Sequence, residues 1–76
     1  MKNQIKNVMS AVFRVPVESI GDDASPDTIE NWDSLKHMNL IVALEEEFDI
    51  EFNDEEILDM ANYKIIYATL QEKKTR

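Results

Sequence analysis

The sequence predicts an all-α fold: a small four-helix bundle, three main helices plus one short helix, with a long loop between helices 1 and 2. Three observations predict it. Apolar residues recur at helical spacing in separate segments. Asp33, Asn53 and Asn62 stand as candidate N-caps ahead of three of those segments. The only glycine and both prolines fall outside all of them.

Helix one opens the chain. Ile5, Val8, Met9, Val12 and Phe13 follow the i, i+3, i+4, i+7, i+8 spacing of a single face, which carries the helix to about Arg14. Val15-Pro16 should stop it, because the residue before proline is pushed out of the helical region and proline cannot donate the next hydrogen bond. From Val17 to Trp32, "VESIGDDASPDTIENW" has the composition of a loop, with Val17, Ile20 and Ile29 as its expected anchors to the core. A loop beyond about 12–15 residues is unusual in so small a domain and is commonly functional or disordered.

Helix two is expected from Ser34 to about Phe48, with Asp33 as N-cap. The connection "DIEFN" then alternates Ile50 and Phe52 with acids, so both should tuck inward. Asn53 with Glu56 three positions later fits a capping box for a short helix, about Asp54 to Met60, whose apolar residues are Ile57, Leu58 and Met60. Asn62 caps the last helix, about Tyr63 to Glu72, with Tyr63, Ile66, Tyr67 and Leu70 inward; the basic tail "KKTR" suits a helix C-terminus. The chain reads as one domain over 1–76.

Size and charge narrow the function. At 76 residues, a stability of roughly 4–11 kcal/mol leaves little for a strained active site or a deep catalytic cleft. Cysteine is absent, so there is no disulfide framework and no thiolate metal site. The first residues, "MKNQIKNVMS", do not resemble a signal peptide. No stretch approaches the ~20 apolar residues of a membrane span. A soluble, cytoplasmic protein is expected. The net charge of −8 argues against nucleic acid as a partner. Nine acids crowd into "EEEFDIEFNDEEILD" with no lysine or arginine, which predicts a negative face able to steer basic partners, or else a solvated surface.

Helix two carries the functional signal. On a helical wheel Leu40, Ile41, Leu44 and Phe48 form one apolar face, the expected core side. Leu35, Met38 and Val42 form a second stripe roughly 130° away. A small bundle could bury both stripes. Alternatively, the second is a docking surface: Ser34 lies at its tip and Glu45 at its lower end.

Ser34 alone is weak, since a serine in a first helical turn ordinarily serves local hydrogen bonding. The "DSL" at the start of a helix, the preceding loop, the downstream "ALEEEFDIEF" and the chain length together resemble the acyl carrier proteins. The resemblance covers nearly all of the sequence and is most specific over 33–56. It implies that Ser34 is where a phosphopantetheinyl transferase attaches 4′-phosphopantetheine from coenzyme A. It implies, too, that Asp33 supports loading by helping the transferase hold Mg²⁺ and coenzyme A, with Mg²⁺ needed only in that complex. The anionic linkage would sit at a helix N-terminus, where free N–H groups favour negative charge. The arm ends in a thiol, whose pKa on the order of 8.5 makes a thioester readier than an ester to pass on its acyl group. The partners implied are the transferase and acyl-loading and acyl-transferring enzymes, met by a monomer through Leu35, Met38, Val42, Glu45 and Glu46.

The motif departs from the commonest fatty-acid form, Gly-x-Asp-Ser-Leu followed by an acid. Asn31 replaces the glycine, Trp32 precedes Asp33, Lys36 takes the place of the acid, and Asn39 stands where a glutamate is usual. The "NWDSL" form is more similar to stand-alone carriers in polyketide, nonribosomal-peptide or surface-sugar acylation routes than to a carrier for fatty acid biosynthesis. Trp32 reads either as a loop anchor or as a neighbour of the arm.

Three other readings are weaker. Ser34, His37 and Asp33 look superficially like hydrolase ingredients, but no glycine-built oxyanion loop accompanies them, and the lone His37 reads as a surface or packing residue. "DIEFNDEEILDM" starts like a calcium loop, yet Asp54 occupies the glycine position and Met60 the bidentate glutamate position, so no metal site is expected. An unmodified acidic helical adaptor is the alternative to a carrier.

Overall fold

The computed structural model describes residues 2–74. Four helices follow in order, α1 over Lys2–Phe13, α2 over Ser34–Phe48, α3 over Asp54–Asp59 and α4 over Tyr63–Lys74, with a 3₁₀ turn at Val17–Ser19 in the loop after α1. Among the described residues there is no strand. The all-α bundle with one short helix is the observed fold.

The helix starts are set by side-chain caps. Asp33 Oδ1 accepts the Lys36 N–H at 2.8 Å. Asn53 and Glu56 exchange reciprocal bonds of 2.8 and 3.0 Å, completing the capping box. Asn62 Oδ1 accepts the Ile65 N–H at 2.9 Å. The ends are less regular. α1 stops at Phe13, one residue short of expectation, because Arg14 turns left-handed at φ 56° and the Val15 N–H reaches back to the Ser10 carbonyl at 3.3 Å. The backbone thus leaves the helix before Pro16 can interrupt it. Asp49 at φ 54° ends α2 in the same way, with the Ile50 N–H on the Glu45 carbonyl.

α3 ends at Asp59, so Met60 lies just past the helix. α4 runs two residues beyond Glu72, where Lys73 pairs with Glu56 at 2.8 Å and Lys74 donates to the Phe48 carbonyl at 3.2 Å. These contacts tie its last turn to α3 and to the C-terminus of α2. Thr75 and Arg76 of the basic tail lie outside the described residues.

The core is built from Ile5, Met9 and Phe13 of α1, the Leu40, Ile41, Leu44 and Phe48 face of α2, and Tyr63, Ile66 and Leu70 of α4. Val8, Val12 and Tyr67 pack half-buried at its edge. The long loop is well attached. Ile20, Ala24, Ile29 and Trp32 are buried, while Val17 is half-buried. Lys6 pairs with Asp22 at 2.8 Å, the Tyr63 N–H donates to the Ala24 carbonyl at 2.9 Å, and Asn31 Nδ2 donates to the Phe13 carbonyl at 2.9 Å. The last of these satisfies an end carbonyl of α1, a task glycine at that position could not perform. The loop is therefore a fixed strap that delivers the chain to Ser34. Phe52 is buried and Ile50 half-buried, as their alternation predicts.

Candidate functional site

The first turn of α2 stands at the rim of a groove of about 460 Å³, lined by Pro26 and Trp32 of the loop, Asp33, Ser34, His37 and Met38 at the start of α2, and Ile57, Leu58 and Ala61 in and after α3. Most of these side chains are apolar, and Ser34 supplies a hydroxyl at the mouth. The chain has four serines. Ser10 donates to the Val15 carbonyl, Ser19 to the Pro16 carbonyl, and Ser25 accepts from the Asp27 N–H. Ser34 is exposed and is the one serine whose hydroxyl has no hydrogen-bond partner among the described residues.

Asp33 fixes the geometry around that hydroxyl. Its side chain caps Lys36, and its carbonyl accepts the His37 N–H at 2.8 Å. The N–H groups of a first helical turn carry about half a positive charge, which favours an anion bonded there. No cluster of His, Cys, Asp or Glu suited to a metal occurs among the described residues.

The second stripe of α2 is open to solvent: Leu35 is 70 % exposed, with Met38 and Val42 near half. Glu46 is exposed beside it. Glu45 is half-buried and its Oε2 accepts the Phe52 N–H at 2.9 Å, so that carboxylate also secures the turn into α3. Ser34, Asp33 and Met38 line the groove, whereas Leu35, Val42, Glu45 and Glu46 do not.

A family model described as "Phosphopantetheine attachment site" matches residues 3–69. The chain belongs to the acyl carrier proteins. An acyl carrier protein of Buchnera aphidicola subsp. Schizaphis graminum is 38% identical over 97% of this chain and 96% of its own length. Those of Buchnera aphidicola subsp. Acyrthosiphon pisum, strains Tuc7 and APS, are 46% identical over 74% of each chain. As an acyl carrier protein the chain is a phosphopantetheine-bearing carrier, not a catalyst, and its partners are the transferase that loads it and acyl-handling enzymes. No helix among the described residues is long and apolar enough to cross a membrane.

Sequence reasoning missed the far wall of this carrier's groove. Ile57 and Leu58 are both apolar residues of α3, but neighbours on a helix point about 100° apart. Ile57 is half-buried, while Leu58 is 79% exposed at the groove. A six-residue helix has too few turns to show which apolar residue faces out. His37 was also undervalued. It is half-buried, accepts a hydrogen bond from Trp32 Nε1 at 3.1 Å, and bonds through Nε2 to the Ile57 carbonyl at 2.9 Å. Trp32 is a buried anchor packed on Phe13 at 5.1 Å between ring centroids, and it also lines the groove.

Proposed function

We propose that Ser34 carries the 4′-phosphopantetheine arm and that the carrier presents acyl or related groups to its enzymes from the α2 face. The observation that carries this reading is the free, exposed hydroxyl of Ser34, when Ser10, Ser19 and Ser25 are all engaged. The chain's own residues fit such an arm. The hydroxyl oxygen forms the phosphodiester, the first turn of α2 favours its charge, and the apolar groove alongside offers cover to whatever hangs from it. When attached, the arm supplies a terminal thiol that holds acyl groups ready for transfer.

Asp33 has two roles in this reading. In the free carrier its carboxylate caps α2. In the loading complex it helps the transferase hold Mg²⁺ and coenzyme A. Leu35, Met38, Val42, Glu45 and Glu46 form the partner surface, with the apolar side chains giving contact area and Glu46 the free charge for a basic partner. Lys36 and Asn39 near the attachment point remove negative charge there, which favours a specialised biosynthetic pathway with partners of matching charge. The carrier acts as a monomer in the cytoplasm.

The test is intact-protein mass spectrometry after incubation with coenzyme A, Mg²⁺ and a broad-specificity transferase. Wild type should gain one phosphopantetheine, and Ser34→Ala should gain none. A loaded Ser34→Ala protein would overturn the assignment. Charge reversal at Glu46 should slow turnover by a partner enzyme at low salt and matter less at high salt; kinetics indifferent to salt would remove Glu46 from the surface.

A further inference from the structure

The groove beside Ser34 has one fixed wall and one lightly held wall. The fixed wall is Trp32 and the start of α2, locked to the core through Phe13 and the helix cap. The other is α3, which contains no buried residue of its own. Short elements with few buried contacts are the ones that open locally. The polar contacts that reach α3 from outside its own loops include the Lys73–Glu56 ion pair on one side and the His37–Ile57 bond on the other. Of these two, the second crosses the groove. Trp32, His37 and Ile57 all line it, and they form a continuous chain: indole N–H to Nδ1 at 3.1 Å, then Nε2 to carbonyl at 2.9 Å.

The chemistry of the partners fixes the state of His37. The indole nitrogen can only donate and a carbonyl can only accept, so Nδ1 must be bare and Nε2 must hold the proton. The imidazole in this arrangement is the neutral Nε2–H tautomer, and no other form can make both bonds. Its ring also lies nearly parallel to the indole, 6.2 Å away at an interplanar angle of 20°.

We propose that His37 is a positioning residue for the carried group, and that its relay from Trp32 to Ile57 sets the separation of the two groove walls. With the relay closed, a group on the arm can lie against Met38, Ile57 and Leu58. With it broken, α3 drifts from α2 and the group is left in water. The inference rests on Ser34 as the attachment point, three residues from His37 on the same helix.

The experiment compares wild type, His37→Phe and His37→Gln in two measurements. In Phe the ring remains and both bonds are lost; in Gln the amide oxygen can accept from the indole and the amide nitrogen can donate to Ile57. The first measurement uses the unloaded protein. Trp32 is the only tryptophan, so its indole N–H gives a single nitrogen-correlated NMR peak. In Phe that peak should move, and amide exchange at Ile57 and Met60 should quicken by about tenfold, while the amides of α1 and α4 stay as in wild type. Gln should restore both. The second measurement attaches an octanoyl group to the arm, checks loading by intact mass, and follows cleavage of the loaded fraction by hydroxylamine. Cleavage should be several-fold faster in Phe than in wild type or Gln. Equal cleavage in wild type and Phe overturns the inference while leaving Ser34 untouched. So does exchange that quickens throughout the molecule, or a Gln variant that behaves like Phe. Failure of wild type to load at Ser34 counts instead against the attachment site, and the unloaded measurement still tests the relay.

Discussion

Leu44 and Leu35 lie on the same helix, nine residues apart, and meet opposite fates. Leu44 is fully buried among Leu40, Ile41 and Phe48, whereas Leu35 stands 70% exposed with Met38 and Val42. Burying a leucine contributes about 1.5–3 kcal/mol, and α2 forgoes that at its outer stripe. Single exposed apolar residues are ordinary, but three aligned beside a free serine and an apolar groove make a contiguous apolar face, the one proposed above for partners. The inner stripe holds the fold together, and the outer one stays open for the partner contacts proposed for it. One helix therefore separates a buried stripe from an exposed one by angle alone.

Substitutions can probe that separation directly. The largest effect on stability is expected from Leu44→Ala, which should cost about 2–5 kcal/mol in denaturant unfolding by leaving a cavity. A loss below about 1 kcal/mol would mean that the inner stripe is not the core. Next comes Asp33→Ala, which should cost about 1 kcal/mol through loss of the Lys36 cap. It should slow loading as well, a combination the inner stripe alone would not give. Leu35→Ser and Val42→Ser should change stability by no more than about 0.5 kcal/mol. Both should raise the KM of a partner enzyme for the loaded carrier, and an unchanged KM would break the assignment of the outer stripe.

The smallest effect concerns neither stripe. Lys6, by its hydrogen bond, and Lys2 nearby hold the Asp22 carboxyl below its ordinary range. Because the folded-state pKa is depressed, the stabilisation is present above the unfolded carboxylate pKa and is lost as pH falls through the folded value. Asp22→Asn should therefore weaken the protein slightly at neutral pH and match wild type in strong acid. The difference should shrink with added salt, since all these groups are solvent-accessible.

Much of this was legible because it is local. α2 runs from Ser34 to Phe48 as its apolar spacing and Asp33 cap predict, and the Asn53–Glu56 capping box is present. Both kinds of signal lie within four residues along the chain. Whether the second stripe of α2 is buried as well is left open by periodicity, since that depends on α1 and α4 lying against one side only. The relay through Trp32, His37 and Ile57 joins residues 5 and 20 apart on separate elements and leaves no periodic trace. The left-handed turn at Arg14 is hidden for another reason: such a turn usually announces itself by glycine, and here an arginine takes it. Glu45 looked like surface charge, and only the path of the chain at Phe52 reveals its second task.

The central claim is that one hydroxyl, at the start of α2, bears the arm. Peptide fragmentation of the loaded protein tests it most directly, because Ser10, Ser19, Ser25 and Ser34 are distinguishable by their flanking residues. The account predicts the added phosphopantetheine mass on Ser34 and on no other residue. The same mass found on Ser10, Ser19 or Ser25, or no added mass while a control carrier is loaded in the same tube, would contradict it.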